Sequence, residues 1–303
     1  MPGAMAEPGD LGRRLAAATV LYRPEAHVLD ALLSPLEAAG VAIFVFVNGP
    51  IDTAIEERLA RDGIVILRVP ENIGLGAALN AVMEAAASAG FSQILLFDQD
   101  STPDRELPGQ LLAAFDRATH SLSQPVAAIG PRLVAPPGYL APWYRRRPGG
   151  AERLTEVDFL PTSGTLVDLA AFDAVGPFRA DYFIDGIDVE WCFRAWAKGH
   201  ACLLAEDITM LHRWGHEAEQ GTRVPQILRQ SDLRTYFYIR NTVAGFRLPH
   251  MPRRWKARLA PRLAAQIGLL LKARRFDPAV RRLVRHAVAD GWRGRLGPAS
   301  EGL

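Results

Sequence analysis

The chain has 303 residues, 49% hydrophobic and 22% charged, with a formal net charge of +2. This length and apolar content can bury one large core, or a core with an appendage, and they exclude a disordered or fibrous protein. The near-neutral balance argues against wholesale nucleic-acid binding, and no nucleic-acid partner is expected. Cys192 and Cys202 form neither a C-x-x-C pair nor a disulfide framework, so each reads as apolar packing in a reducing compartment. Residues 1–14 lack the apolar stretch of a signal peptide. No uncharged apolar run reaches the ~18 residues of a membrane helix, and the longest stretch near the C-terminus, residues 263–271, is flanked by arginines. These features predict a cytoplasmic protein.

The first half alternates strand-like and helix-like segments. Residues 16–22 form a β-prone run ending at Arg23-Pro24. Residues 27–39 have helical apolar spacing (Val28, Leu32, Leu36) and stop at Gly40. A continuous apolar run, 41–47, ends at the turn signal Asn48-Gly49-Pro50. Helix is predicted over 53–60, strand over 64–69, and helix over 75–89, closed by Gly90. A strand over 93–97 runs into Asp98-Gln99-Asp100, a helix covers 108–118, and a short strand over 126–129 ends at Gly130-Pro131. Apolar strands separated by amphipathic helices imply an α/β fold with a mostly parallel sheet covered on both faces. Ligands in such sheets bind at the carboxyl ends of the strands, here the loops after Tyr22, Val47, Val69 and Phe97.

Residues 136–150 read as a Pro/Gly/Arg-rich loop leading to a second part that starts near Val157. That part holds Thr162-Ser163-Gly164, a helix-like segment over 189–198, and a strand end near Leu211. From Arg247 onward arginines and lysines intersperse with apolar residues, and acidic residues are nearly absent until Asp277 and Asp290. We therefore divide the chain into an α/β domain, 1–246, and a basic amphipathic helical extension, 247–303. The extension suits an anionic membrane surface, packing on the core, or a homo-oligomer contact.

The sharpest chemical signal is Asp98-Gln99-Asp100. Residues two apart on an extended strand point to one side, and adjacent carboxylates repel unless a cation lies between them. A hard divalent ion, Mg²⁺ or Mn²⁺, completes its shell with a diphosphate. By itself the tripeptide equally fits an Asx-type turn capped by Ser101 or Thr102. The small-residue run 72–80, with Asn72, Gly74 and Gly76, lies between strand and helix. It suits a close anion approach or a tight junction capped by Asn72.

In residues 185–194, Glu190 and Arg194 have the spacing of a helical ion pair. Asp188 is either an N-cap or a general base, with Trp191 on the same side. His212 and His216 are four apart, but Gly215 lies between them and no H-E-x-x-H follows. His212 completing a site with the two aspartates is more economical. The arginines and aromatics of 234–241 suit phosphate recognition or an apolar helix face.

Taken in order, these motifs resemble glycosyltransferase family 2, in particular its rhamnosyltransferase-like members. Residues 19–24 (TVLYRP) resemble the family's "TYNP" turn and Val47-Asn48-Gly49 its "DNGS" strand end. Residues 72–80 resemble "NxGxxxAxN", and Asp98 to Ser101 resembles "DQDS". Ser163-Gly164 resembles the acceptor-side "SG", and residues 187–194 the segment carrying the catalytic base. His212 matches the late histidine, 234–241 "RxYYxxRN", and 290–297 "DGxxGRxG". Two departures stand out: Val47 and Pro50 replace the acid and serine of "DNGS", and Arg23 replaces the Asn of "TYNP".

The resemblance implies a GT-A fold, a nucleotide-sugar donor, Mg²⁺ or Mn²⁺, and inversion at the anomeric carbon. It implies metal ligation by Asp98, Asp100 and His212, donor binding by Tyr22, Asn48, Asn72, Gly74, Asp98 and Arg240, and acceptor contacts from Ser163, Gly164 and Trp191, with Asp188 as base. The expected donor is dTDP-L-rhamnose and the expected acceptor a growing cell-envelope glycan or its lipid carrier. Remaining alternatives are a UDP-hexose donor, a non-catalytic nucleotide-sugar binder, a zinc hydrolase using His212 and His216, and a structural protein of the membrane surface.

Overall fold

The computed structural model describes residues 8–61, 63–135, 144–212, 226–228 and 230–299. The first half alternates as the sequence predicts: α1 (Pro8–Arg14), β1 (Leu15–Leu21), α2 (Ala26–Ala39), β2 (Ala42–Asn48), α3 (Thr53–Leu59), β3 (Ile64–Val69), α4 (Leu75–Ser88), β4 (Gln93–Asp98) and α5 (Leu107–Ser121). β1 pairs parallel with both β2 and β4, and β2 with β3. All of β1 is buried because both of its faces are covered. Leu15, Ala17 and Leu21 meet Leu29, Leu32, Leu36, Ile55 and Leu111 from α2, α3 and α5. Ala16, Ala18 and Val20 meet Ala78, Leu79, Val82 and Met83 of α4 on the other side. The strand's period of two thus sorts one sequence into two cores.

The second part contributes β5 (Val126–Val134), β6 (Arg146–Ala151), β7 (Leu154–Val157), β8 (Thr165–Asp168), α6 (Leu169–Val175), α7 (Ile187–Ala197) and β9 (Ala201–Leu211). The sheet order is β3-β2-β1-β4-β8-β5-β9-β7-β6. β8 runs antiparallel between β4 and β5, which makes the sheet mixed. Two sequence expectations need correction. β5 does not stop at Gly130-Pro131. Its register against β9 jumps after Pro131, from Ala205 to Thr209, and this irregularity spares the proline a ladder hydrogen bond it cannot donate. Nor is 136–150 all loop: residues 146–150 begin a hairpin strand against β7, while 136–143 lie outside the described residues.

The chain ends in α8 (Asp232–Gly245), α9 (Arg253–Ala273) and α10 (Pro278–Arg293). Tyr236, Phe237, Ile239 and Val243 of α8 share an apolar cluster with Leu263 and Leu270 of α9 and with Val280, Leu283, Val284 and Ala287 of α10. The boundary expected at residue 247 therefore cuts through a packed unit. Gly291 of α10 lies so close to α8 that a Cβ there would sit 2.4 Å from the Arg240 carbonyl oxygen. Trp255 of α9 packs on Phe159 and Phe193, and Arg254 reaches the buried Asp158 at 3.2 Å. Packing on the core, one of the three expectations for the extension, is what the structure shows.

Candidate functional site

The carboxyl ends of β1, β2 and β4 form one ledge. Gln99 clamps two of these ends together: its Oε1 accepts from the Tyr22 amide at 2.8 Å and its Nε2 donates to the Tyr22 carbonyl at 3.2 Å. The Tyr22 ring is left 42% exposed, beside Gly49, with the Arg23 guanidinium 5.3 Å from its centroid. Asn48, by contrast, is buried. Its Nδ2 donates to Asn72 Oδ1 at 3.0 Å and its Oδ1 accepts from the Ile73 amide at 2.9 Å. Asn72 Oδ1 also accepts from the Gly74 amide at 2.8 Å. Asn48 is thus committed to shaping the loop, which corrects its expected direct contact with a donor, whereas Asn72 gives its side-chain oxygen to the loop and stays half-buried.

The glycines of this loop serve a tight junction, one of the two readings the sequence offered. A Cβ on Gly74 (φ +86°) would lie 2.7 Å from the Phe183 ring, and one on Gly76 would lie 2.5 Å from the Arg179 carbonyl oxygen. The backbone that approaches them is the 3-10 turn Ala180–Tyr182 and the residues beside it. Asn80 fastens the same contact: Nδ2 donates to the Phe178 carbonyl at 2.9 Å and Oδ1 accepts from its amide at 2.8 Å.

Asp98 ends β4 and Asp100 is exposed just beyond it. Ser101 is buried against Ser163, Oγ to Oγ 2.5 Å, and the Gly164 amide donates to the Leu96 carbonyl at 2.8 Å. Ser163 and Gly164 thus brace the aspartate loop from beneath, and Ser163 is too buried to meet an acceptor directly. Thr102 forms an isolated antiparallel bridge to Leu211, so the end of β9 delivers His212 to the aspartates. Burial pushes the Asp98 carboxyl above the usual range and Asp100 adds to the push, while His212 and Arg234 oppose it. Among the described residues, no group of three His, Cys, Asp or Glu side chains is arranged to hold a metal ion. His216 lies outside the described residues.

Within reach of the Asp98 charge, Asp188 is the second residue of α7. Burial raises its carboxyl to about 6, with Asp98 and Asp185 adding repulsion and the Val189 amide, 2.8 Å from Oδ1, partly offsetting them. The segment leading to it is contorted: Phe183 (φ +65°) and Asp185 (φ +66°) occupy the left-handed region that L-residues avoid. Asn241 Nδ2 holds it through the carbonyls of Tyr182, Ile184 and Asp185 at 2.7–2.9 Å. Backbone strain of this kind persists only where surroundings over-determine it.

Two expectations fail here. Arg240 is 1% exposed, and its guanidinium is spent on the carbonyls of Asp181, Tyr182 and Gly297 and on Asn241 Oδ1. It supports the contorted segment and has no face left for a phosphate. Arg234 is the arginine at the site. It starts α8, pairs with Asp185 at 3.2 Å, and its charge is further held by Asp98 and Asp100. Its place in the first turn after the Ser231 cap was the available sequence signal, since that turn ends the helix nearest the strand ends.

Trp191 is likewise core. It is 1% exposed, its Nε1 donates to the Gly176 carbonyl at 2.9 Å, and its ring packs on Phe172 and Phe178. The cavity it lines with Asp188, Leu160 and Thr162 has about 10 Å³, room for one water rather than a sugar. Glu190 forms the expected pair with Arg194 at 2.8 Å and gains His250 at 2.8 Å. Burial would raise its carboxyl, but hydrogen bonds from His250 and Arg194 outweigh burial and hold it below the usual range.

No family model matches the chain. The chain is 25% identical over 254 residues to the dTDP-rhamnosyl transferase RfbF of Shigella flexneri, covering 80% of this chain and 83% of that protein. The S. aureus TarS fragment 1–349 solved with UDP-GlcNAc matches with a TM-score of 0.56 at 14% identity, over 92% of this chain and 89% of that one. GalNAc-T7, solved with UDP, GalNAc and Mn²⁺, matches with a TM-score of 0.55 at 13% identity over 80% of this chain. The chain spans about half of that longer protein, 53%. Fold and sequence likeness agree: the chain has the GT-A-type fold of these glycosyltransferases, and its sequence resembles the rhamnosyltransferase-like members of glycosyltransferase family 2.

Proposed function

We propose that the chain is a metal-dependent, inverting glycosyltransferase of the cytoplasm. It would move L-rhamnose from dTDP-L-rhamnose onto a hydroxyl of a cell-envelope glycan or its lipid carrier. The observation that carries this reading is Asp188. Its carboxyl is raised to about 6, so at neutral pH it is ionised yet more basic than an ordinary aspartate. It lies near enough to the strand-end Asp98 to be repelled by it, and the half-exposed Arg234 that pairs with Asp185 is also held by Asp98 and Asp100.

The residues fit a divalent cation. Asp98 and Asp100 repel one another at the end of β4, and such ions take few protein oxygens when a diphosphate and water supply the rest. Asp100 and His212 would hold Mg²⁺ or Mn²⁺, with Asp98 on the ribose or the metal shell. The ion would offset charge on the departing nucleoside diphosphate. Arg234 can leave Asp185 for a phosphate oxygen and add a second cation on the same leaving group. Tyr22, exposed over Gly49, offers a stacking face for the nucleobase where the family's acid is Val47. Asp188 takes the proton of the acceptor hydroxyl, whose oxygen attacks the anomeric carbon from the side opposite the diphosphate. Holding both substrates in place removes much of the entropic barrier.

A UDP-hexose donor is the second reading, supported by the UDP-bound forms of the two structural neighbours. The test is donor hydrolysis with and without Mg²⁺ or Mn²⁺ across dTDP-rhamnose, UDP-glucose, UDP-galactose and GDP-mannose. Metal-dependent turnover of dTDP-rhamnose alone supports the first reading, and turnover of a UDP-sugar replaces the donor. Turnover of none overturns the enzymatic reading.

A further inference from the structure

We infer that the α9–α10 hairpin is a docking surface for an anionic lipid bilayer, placed to bring that bilayer to the mouth of the site. Between Arg253 and Phe276 the sequence contains no Asp or Glu. α9 has 21 residues, yet its fully buried side chains are Leu263 and Leu270. Turned one residue from that line, about 100° around the helix, Arg262 and Leu269 lie seven residues apart and face solvent, and Phe276 is exposed in the turn that follows the helix.

Leu269 is 38% exposed and Phe276, at the turn, 56%. α10 repeats the pattern with Arg281, Arg285, Val288 and Trp292, the last 66% exposed. Among the described residues, Arg258, Arg262, Lys272, Arg275, Arg281 and Arg285 form no ion pair with a carboxylate. The one acid in the turn, Asp277, is occupied in capping α10 through the Ala279 amide.

Unpaired cations alternating with large apolar side chains on a helix surface match the chemistry of a lipid interface. The heads meet anionic phosphates while the rings enter the acyl boundary. A second copy fits poorly, since a two-fold contact would set this basic surface against itself. A nucleic acid would leave Leu269, Phe276, Val288 and Trp292 without a use.

The location ties this surface to the site. Arg274, at the end of α9, pairs at 2.8 Å with Asp232 in the first turn of α8, two residues from Arg234. The exposed turn Arg275-Phe276, both residues at positive φ, therefore sits at the end of α8 that faces Asp185, Asp98 and Asp100. The link to a lipid-borne acceptor rests on the transferase reading; the lipid surface itself does not.

The test is co-sedimentation of the full chain with vesicles of phosphatidylcholine alone and of phosphatidylcholine mixed with phosphatidylglycerol. Binding is expected to the mixed vesicles only and to weaken with salt. It should fall roughly fivefold for each cation removed in Arg262→Gln and Arg275→Gln, and roughly tenfold in Phe276→Ser. These exposed substitutions should leave thermal midpoint and donor hydrolysis in free solution unchanged. Equal binding to both vesicles, no binding, variants that bind like the parent, or a dimer abolished by the same substitutions would each overturn the inference. Donor hydrolysis measured on the same samples separates its failure from failure of the transferase reading.

Discussion

Asp188→Asn is expected to stabilise the empty protein at neutral pH while ending sugar transfer. The carboxyl is held at about 6 rather than 3.8, chiefly by burial and then by Asp98 and Asp185. At about 1.4 kcal/mol per unit, the ionised form costs on the order of 3 kcal/mol in the folded state. The sign follows from the proton. A group raised by folding binds its proton more tightly in the native state, so its penalty is absent below the unfolded value. The penalty grows as pH rises from about 4 to about 6 and is constant above that.

Asparagine keeps the acceptor for the Val189 amide but carries no charge. The two proteins should therefore unfold together near pH 4 and diverge as pH rises. At about 2 °C per kcal/mol the variant should melt roughly 6 °C higher at pH 8. Thermal unfolding in the presence of a chelator, with transfer assayed on the same preparations, measures both effects. A variant that melts at or below the parent at pH 8 would refute the claim that the site strains this carboxylate. A variant that retains full turnover would refute its role as base.

Two further perturbations separate residues that the sequence treats alike. Arg234→Ala should raise the donor KM at least tenfold and lower the thermal midpoint by only about a degree or two, because the half-exposed side chain is screened by solvent although it neutralises Asp185 and opposes the charge on Asp98 and Asp100. Arg240→Ala should instead lower the midpoint by several degrees, since it leaves the carbonyls of Asp181, Tyr182 and Gly297 unsatisfied in the interior. Steady-state kinetics and thermal unfolding on both variants check this, and the reverse pattern would restore Arg240 as the donor ligand. Gly76→Ala should cost about 2 kcal/mol, because the new Cβ would stand 2.5 Å from a backbone oxygen that cannot step aside. Denaturant unfolding measures it, and an unchanged midpoint would mean that the α4 junction is not the tight contact described.

Much of this architecture was legible before folding. The apolar runs that became β1, β2 and β4 announce strands covered on both faces, and the helices between them announce parallel pairing. A polar Asp-Gln-Asp after an apolar strand marks the carboxyl edge where ligands bind, and Asp188 could be singled out from its place at a helix start. Each of these signals is local: periodicity and element ends are written in neighbouring residues.

The tertiary structure decided what those residues touch. Gly74 and Gly76 leave room for Phe183 and Arg179, about a hundred residues away, and spacing within the loop cannot name that partner. Arg234 and Arg240 sit on one helix six residues apart, and only the packing of α10 turns one into the core and leaves the other at the site. Trp191 shares a face with Asp188 yet fills the core, because α6 and the segment after it close over its ring. The β6–β7 hairpin was hidden because its strand is rich in Arg, Gly and Pro and becomes a strand only by pairing with its neighbour. Sequence by itself determined the order of elements and the chemistry available at their ends. Which side chains meet, which are buried and which stay free depended on long-range contacts that no local pattern encodes.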